Sequence, residues 1–274
     1  MEKKLVLMER NNTKDEASLS RNSVAYNRGV VDIINETTNE IIFQARNKVI
    51  LPGAAFTARK HFNLNVEEIT PSYNEVLGLE NTVTEKAPSE EAEKVVLFSV
   101  GIDGGGNEPS QIEPVDYGKW CKPDHLVPFR YIPSTATLEE GLQDSYFGKQ
   151  IRADENITAY YFKAFDTEPT FHQQYTDGTP VTSDVYDLKK DEEIETYVEL
   201  VLKITKDDCR EYFRQTVGAN KARINSLQLL TGWKKTIDGV DYYQDIRPLT
   251  KLHFPLESLI DVTKSIKIIY HLYY

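Results

Sequence analysis

The stretch from Leu97 to Ser110, "LFSVGIDGGGNEPS", carries apolar and β-branched residues up to three adjacent glycines, Gly104, Gly105 and Gly106. Glycines behind a strand are the raw material of a phosphate cradle. That chemistry also needs a lysine and a serine or threonine directly after them, and a helix whose free N–H groups face the anion. Here Asn107, Glu108 and Pro109 follow instead. The acidic residues repel a phosphate and the proline blocks an immediate helix, so nucleotide binding is not expected. The glycines read as a place where the backbone takes unusual angles or lets another chain come close.

Other reactive residue types are present without a reactive pattern. Cys121 and His125 stand in C-x3-H spacing, but a zinc site shows four ligands in recognisable pairs and no second pair lies near. His61, His172, His253 and His271 are isolated, and the G-x-S-x-G nucleophile elbow does not occur. Two carboxylates in one cleft would suit acid–base glycoside hydrolysis. With 43 acidic residues, no spacing singles out a pair. The expectation is a protein without enzymatic activity, cofactor or metal.

"HLVPFRYIP", residues 125–133, is more informative. Val127, Phe129 and Tyr131 alternate with Pro128 and Arg130, an extended strip that cannot pair along both edges. Two readings stand. The strip is an edge strand over its own core, or it docks on a neighbouring subunit with Phe129 and Arg130 as anchors. On the second reading the inter-subunit contacts fall to Gly104, Gly105, Gly106, Pro128, Phe129, Arg130 and Tyr131.

The elements that must carry these residues are mainly strands. Residues 1–27 are polar and aperiodic, an extended arm. "GVVDIINETTNEIIFQAR" holds two apolar runs around a turn, a hairpin signature. A short strand at 48–51 meets Pro52, which suits the first turn of a helix reaching His61. Residues 95–102 form a buried strand. Prolines at 109, 114, 123, 128 and 133 make 103–134 a long irregular loop. Strand character resumes at 156–165 and "FHQQYTDGTPVTSD" breaks it again. Over 196–205, Val198, Leu200, Leu202 and Ile204 alternate with Glu199, Val201 and Lys203, as a strand with one buried face requires. Asp207 then caps a short helix with Tyr212 and Phe213 on its inner side. Asp238-Gly239 marks a hairpin, and "KSIKIIYHLYY" closes the chain as a strand locked into a sheet. The fold expected over 28–274 is a single mainly-β domain, a β-sandwich or partly open barrel with long loops and a few short helices.

Composition narrows the function classes. The formal net charge of −11 is spread along the chain and repels nucleic-acid phosphates. Two distant cysteines imply reduced thiols and cytosolic folding. The N-terminus lacks an apolar core for a signal peptide, and no window approaches a membrane helix. Sixteen tyrosines suit half-buried strands and protein contacts.

The glycine-rich turn, the proline-laced run to "LVPFRYIP" and the ending "LTKLHFPLESLIDVTKSIKIIYHLYY" together resemble structural proteins of tailed-bacteriophage virions. The neck and tail-completion proteins of contractile-tailed phages are the nearest within that group. The resemblance covers residues 95–135 and 245–274 and carries no motif position from which a functional residue transfers. It implies a β-rich subunit of a homo-oligomeric ring at the head–tail junction. Other head or tail proteins would be its partners, DNA would pass through the lumen, and the mature location would be the virion. Two other classes remain: a baseplate- or fibre-associated module that binds carbohydrate or a host surface, and an acid-type hydrolase.

Overall fold

The computed structural model describes residues 28–46, 48–49, 73–79, 94–104, 112, 115, 125–175, 177–180, 194–217, 223–258 and 265–273. The expected arm at 1–27, the helix expected from Pro52, and Gly105 and Gly106 lie outside them. β1 (Arg28–Asn35) and β2 (Ile41–Arg46) form the anticipated hairpin. Its turn is organised by Asn35, whose Oδ1 accepts the N–H groups of Thr37 at 3.0 Å and Thr38 at 3.4 Å.

β1 pairs with the C-terminal strand β13 (Ile266–Tyr273), which pairs with β10 (Ile194–Ile204), which pairs with β9 (Thr170–Tyr175), all antiparallel. The terminal strand therefore sits in the middle of a five-stranded sheet, ordered β2-β1-β13-β10-β9. β10 follows its sequence: Leu200, Leu202 and Ile204 are buried while Glu199, Val201 and Lys203 are half-exposed. β9 is a correction. Part of "FHQQYTDG", expected to interrupt strand structure, lies in register against Ile194–Glu199. Its strand state comes from that partner, which local sequence does not reveal.

The second sheet runs β3 (Lys48–Val49), β12 (Val240–Ser258), β11 (Arg223–Ile237), β4 (Lys94–Gly101) and β8 (Ile157–Ala164), with β7 (Tyr146–Arg152) along the far edge of β8. The turn between β11 and β12 has Asp238 at φ 52° and Gly239 at φ 81°, as the favoured two-residue hairpin demands. β4 and β8 pair through Leu97 and Phe98 and then part. The strip 126–133 fills the fork. β5 (Leu126–Val127) pairs with the end of β4, and beyond Pro128, β6 (Arg130–Pro133) pairs with the start of β8. Residues 103–134 are thus not irregular throughout. Pro128 has no N–H to offer a ladder, and it stands where the strip changes partners.

The two sheets stack as a β-sandwich and do not close into a barrel. Val31, Ile33, Leu202, Ile268 and Tyr270 meet Phe98, Val100, Phe129, Leu229 and Phe254 across the interior. A second apolar layer lies on the back of the eight-stranded sheet, where Tyr73 and Leu77 of α1 (Tyr73–Leu77) pack near Leu97, Phe162, Leu230 and Ile246. Among the described residues, no helix is long and apolar enough to cross a membrane.

Gly148 breaks the regularity of β7. It sits at φ 69°, and a Cβ there would overlap the Phe162 ring. Gly148→Ala is therefore expected to cost more than the roughly 1–3 kcal/mol of backbone strain alone. Gly141→Ala, which meets open space, should stay within about 0.5 kcal/mol of wild type in urea unfolding.

Candidate functional site

The strip at 126–133 covers its own chain's core. Phe129 is 1% exposed and packs edge-on against Phe98, with ring centroids 5.2 Å apart. Its N–H donates to Tyr160 O at 2.8 Å and its carbonyl accepts from Cys209 N–H at 3.0 Å. Pro128 is buried. Arg130 turns inward, and Tyr131 gives its hydroxyl to Glu155 at 2.9 Å. Burial and Glu155 push the Tyr131 phenol up to about 12. In this fold Phe129 and Arg130 pack on their own chain's core, as the first of the two readings has it.

Arg130 leads to a charged cluster that sequence reasoning missed. Asp208, fully buried, follows the end of β10 and enters the space between the sheets. Its Oδ1 receives the Tyr146 hydroxyl at 2.6 Å and Arg130 Nη1 at 2.7 Å. Its Oδ2 receives Lys163 Nζ at 2.8 Å and the Thr205 N–H at 2.8 Å. Lys163 also donates to Lys203 O at 2.7 Å, and Arg130 to Asp207 O at 2.9 Å. The guanidinium carbon lies 4.2 Å from the centre of the Tyr146 ring. Burial, with Asp208 adding, pushes the Tyr146 phenol far above its ordinary value.

Next to Asp208, Cys209 takes a left-handed conformation at φ 62° and starts the helix α2 (Arg210–Tyr212) with no side-chain cap. This corrects the cap assigned to Asp207. Phe213 is buried and Tyr212 is partly buried against the core, both on the inner side as expected. Burial pushes the Cys209 thiol well up, so it is held neutral, the unreactive form. Cys121 lies outside the described residues.

The glycine-rich turn opens onto a second polar cluster. Gln228 stands between Ser99 and Lys251 on neighbouring strands, and Ser226 between Gly101 and His253. Ser99, Ser226, Gln228, Lys251 and His253 are all buried. Asp103 leaves the end of β4 and pairs with Lys251. Burial alone would lift its carboxyl, but Lys251's charge and hydrogen bond, helped by Ser226 and His253, hold it below the ordinary carboxylate value. Gly104 donates its N–H to Asn225 Oδ1 at 2.8 Å. A Cβ at Gly104 would overlap the Asn225 carbonyl oxygen and the His253 ring. The first glycine thus serves close packing of the loop on the sheet.

A cavity of about 270 Å³ opens where β7, α1 and the β11–β12 hairpin meet. Phe147, Tyr160 and Tyr243 line it, with Thr137, Gln143 and Lys149. The Phe147 and Tyr243 rings meet edge to face at 4.6 Å and 83°. Asn74 clamps α1 to the hairpin by donating to Tyr243 O at 3.3 Å and accepting from Ile246 N–H at 3.0 Å. Asp241 is the acidic member of the described lining, and it is bound to Lys234 at 2.6 Å and to the Thr236 hydroxyl at 2.7 Å. Among the described residues, no group of three or more His, Cys, Asp or Glu is placed to hold a metal ion. No family model, no curated protein and no solved structure matches the chain.

The Asp103–Lys251 pair gives an acid-sensitive term of known sign. A carboxyl held low in the folded state stabilises the fold above its unfolded value of about 3.9, and that stability is lost as pH falls through the lower folded value. Unfolding free energies measured from pH 7 towards pH 2 should show this loss in the wild type. Lys251→Met, where burial acts on Asp103 with its chief partner removed, should lack it. Parallel profiles for the two proteins would remove the assignment.

Proposed function

We propose that this chain is a non-enzymatic structural subunit of a tailed-phage virion, built to assemble as a connector ring in the neck or tail. The observation that carries this reading is the use made of the buried charges. General acid–base or nucleophilic work needs a group free to exchange a proton with a reacting atom. Both oxygens of Asp208 are instead taken twice, by the local Thr205 N–H and by Tyr146, Arg130 and Lys163, which tie one sheet to the other. Such a node serves rigidity, the property a ring subunit needs when load passes through it.

Assembly surfaces on this reading are the outer strands of the sheets. β2 and β9 are the outermost strands of the five-stranded sheet, and Ile41 on β2 is 60% exposed. Outer strands can extend a sheet into a neighbouring copy. Partners would be further copies of the chain and other head or tail proteins. The acidic balance suits a wall past which DNA slides without being held. The baseplate or fibre module is the second reading, and the aromatic cavity beside β7 favours it.

Light scattering behind a sizing column tests the ring. The expected mass is one discrete multiple of 31.4 kDa, near six or twelve copies, at and above micromolar concentration. A monomer at every concentration, alone and with a virion fraction added, would overturn it.

A further inference from the structure

We infer that the cavity beside β7 is a binding site for a saccharide of one or two rings. The inference rests on the cavity alone and does not depend on the ring assembly. Its volume of about 270 Å³ falls just below the roughly 300–1,000 Å³ usual for small-molecule sites, which sets the ligand size. Its chemistry sets the class. A sugar ring offers apolar C–H faces and a rim of hydroxyls, so its receptor needs aromatic surface and unspent polar groups together.

Both are present. Phe147 and Tyr243 stand perpendicular to each other, and Tyr160 adds a third ring. The Tyr160 hydroxyl, the Thr137 hydroxyl and the Lys149 ammonium have no hydrogen-bond partner among the described residues. Burial alone raises the Tyr160 phenol above its ordinary value, so its hydroxyl stays protonated and able to donate. Gln143 gives its amide N–H to Leu138 O at 3.0 Å and keeps its amide oxygen for a ligand. The walls are fixed before any ligand arrives. Asn74 clamps the hairpin, Gly148 seats β7 on Phe162, and the Tyr146 hydroxyl is tied to Asp208 behind the cavity. Preformed walls leave less ordering for the ligand to impose.

Charge narrows the ligand further. Asp241 is spent on Lys234 and Thr236, so Lys149 is the charged group left open. A phosphate is usually gripped by bidentate arginine or by several donors at once. One lysine suits a neutral sugar or one carrying a single carboxylate. Hydrolysis of a glycosidic bond takes two carboxyl groups about 5–9.5 Å apart. The described lining supplies one, already paired, so the site binds without cleaving.

The test uses the full chain in ligand-observed NMR and calorimetry. The probes are glucose, galactose, N-acetylglucosamine, glucuronic acid and cellobiose, with adenosine as the flat-ring comparison. At least one saccharide should bind saturably at one site per chain. Tyr160→Phe and Lys149→Met should each weaken it, by about tenfold together, while the thermal melt shows both variants folded. Failure of every saccharide to bind would overturn the inference. So would tighter binding of adenosine, or a saccharide affinity unchanged in both variants.

Discussion

Asp208 sits fully buried between two β-sheets, with a lysine, an arginine, a phenol and a backbone N–H all directed at its carboxylate. Moving each ion out of water costs several kcal/mol, and the mutual attraction offsets that only where geometry is good and the remaining donors are satisfied. Both conditions hold here. The two cations exceed the one anion, and the carbonyls of Phe129, Lys203 and Asp207 take up the surplus donors. The node joins the end of β10 in one sheet to β6, β7 and β8 in the other. Apolar contact alone would let the sheets slide, because dispersion between flat aliphatic faces has little direction. A charged node with fixed angles gives one register.

The fork in the eight-stranded sheet follows from the same node. β4 and β8 diverge, and the strip 126–133 closes the gap by pairing first with one and then with the other. Its anchor is Phe129, held by the Cys209 N–H immediately after Asp208. The irregular backbone at Cys209, with φ 62°, is the conformation that turns Asp208 inward while letting the next N–H reach the strip. On the other edge of β8, Tyr146 carries the constraint into β7 and so to the wall of the aromatic cavity. Architecture and candidate ligand site thus share a member.

Much of this was legible in the sequence where the signal is local. The alternation from Val198 to Ile204, the turn residues around Asn35 and at Asp238-Gly239, the strand at 95–102 and the C-terminal strand all carry their periodicity or turn chemistry within a few residues. β9 was not legible, because its strand state depends on β10. The strip was half legible: alternation and proline gave extended backbone, but only the parting of β4 and β8 makes its side chains internal. "KDDC" reads as a solvated turn, so nothing adjacent marks Asp208 as buried. The available signal lay elsewhere, in Lys163 within "YYFKAF", as Lys251 within "LTKLHF" signals Asp103. A lone charge at the buried parity of an apolar strand calls for an opposite partner. The cavity joins α1, residues 137–149 and the β11–β12 hairpin, segments that no pattern along the chain connects.

Equilibrium urea unfolding of Asp208→Asn tests the central claim most directly. The substitution keeps the shape and leaves Lys163 and Arg130 buried without their carboxylate. If the node holds the sheets together, the variant should lose about 3–5 kcal/mol of stability. A loss below about 1 kcal/mol, the level of an exposed ion pair, would contradict the account and leave the sandwich to its apolar core.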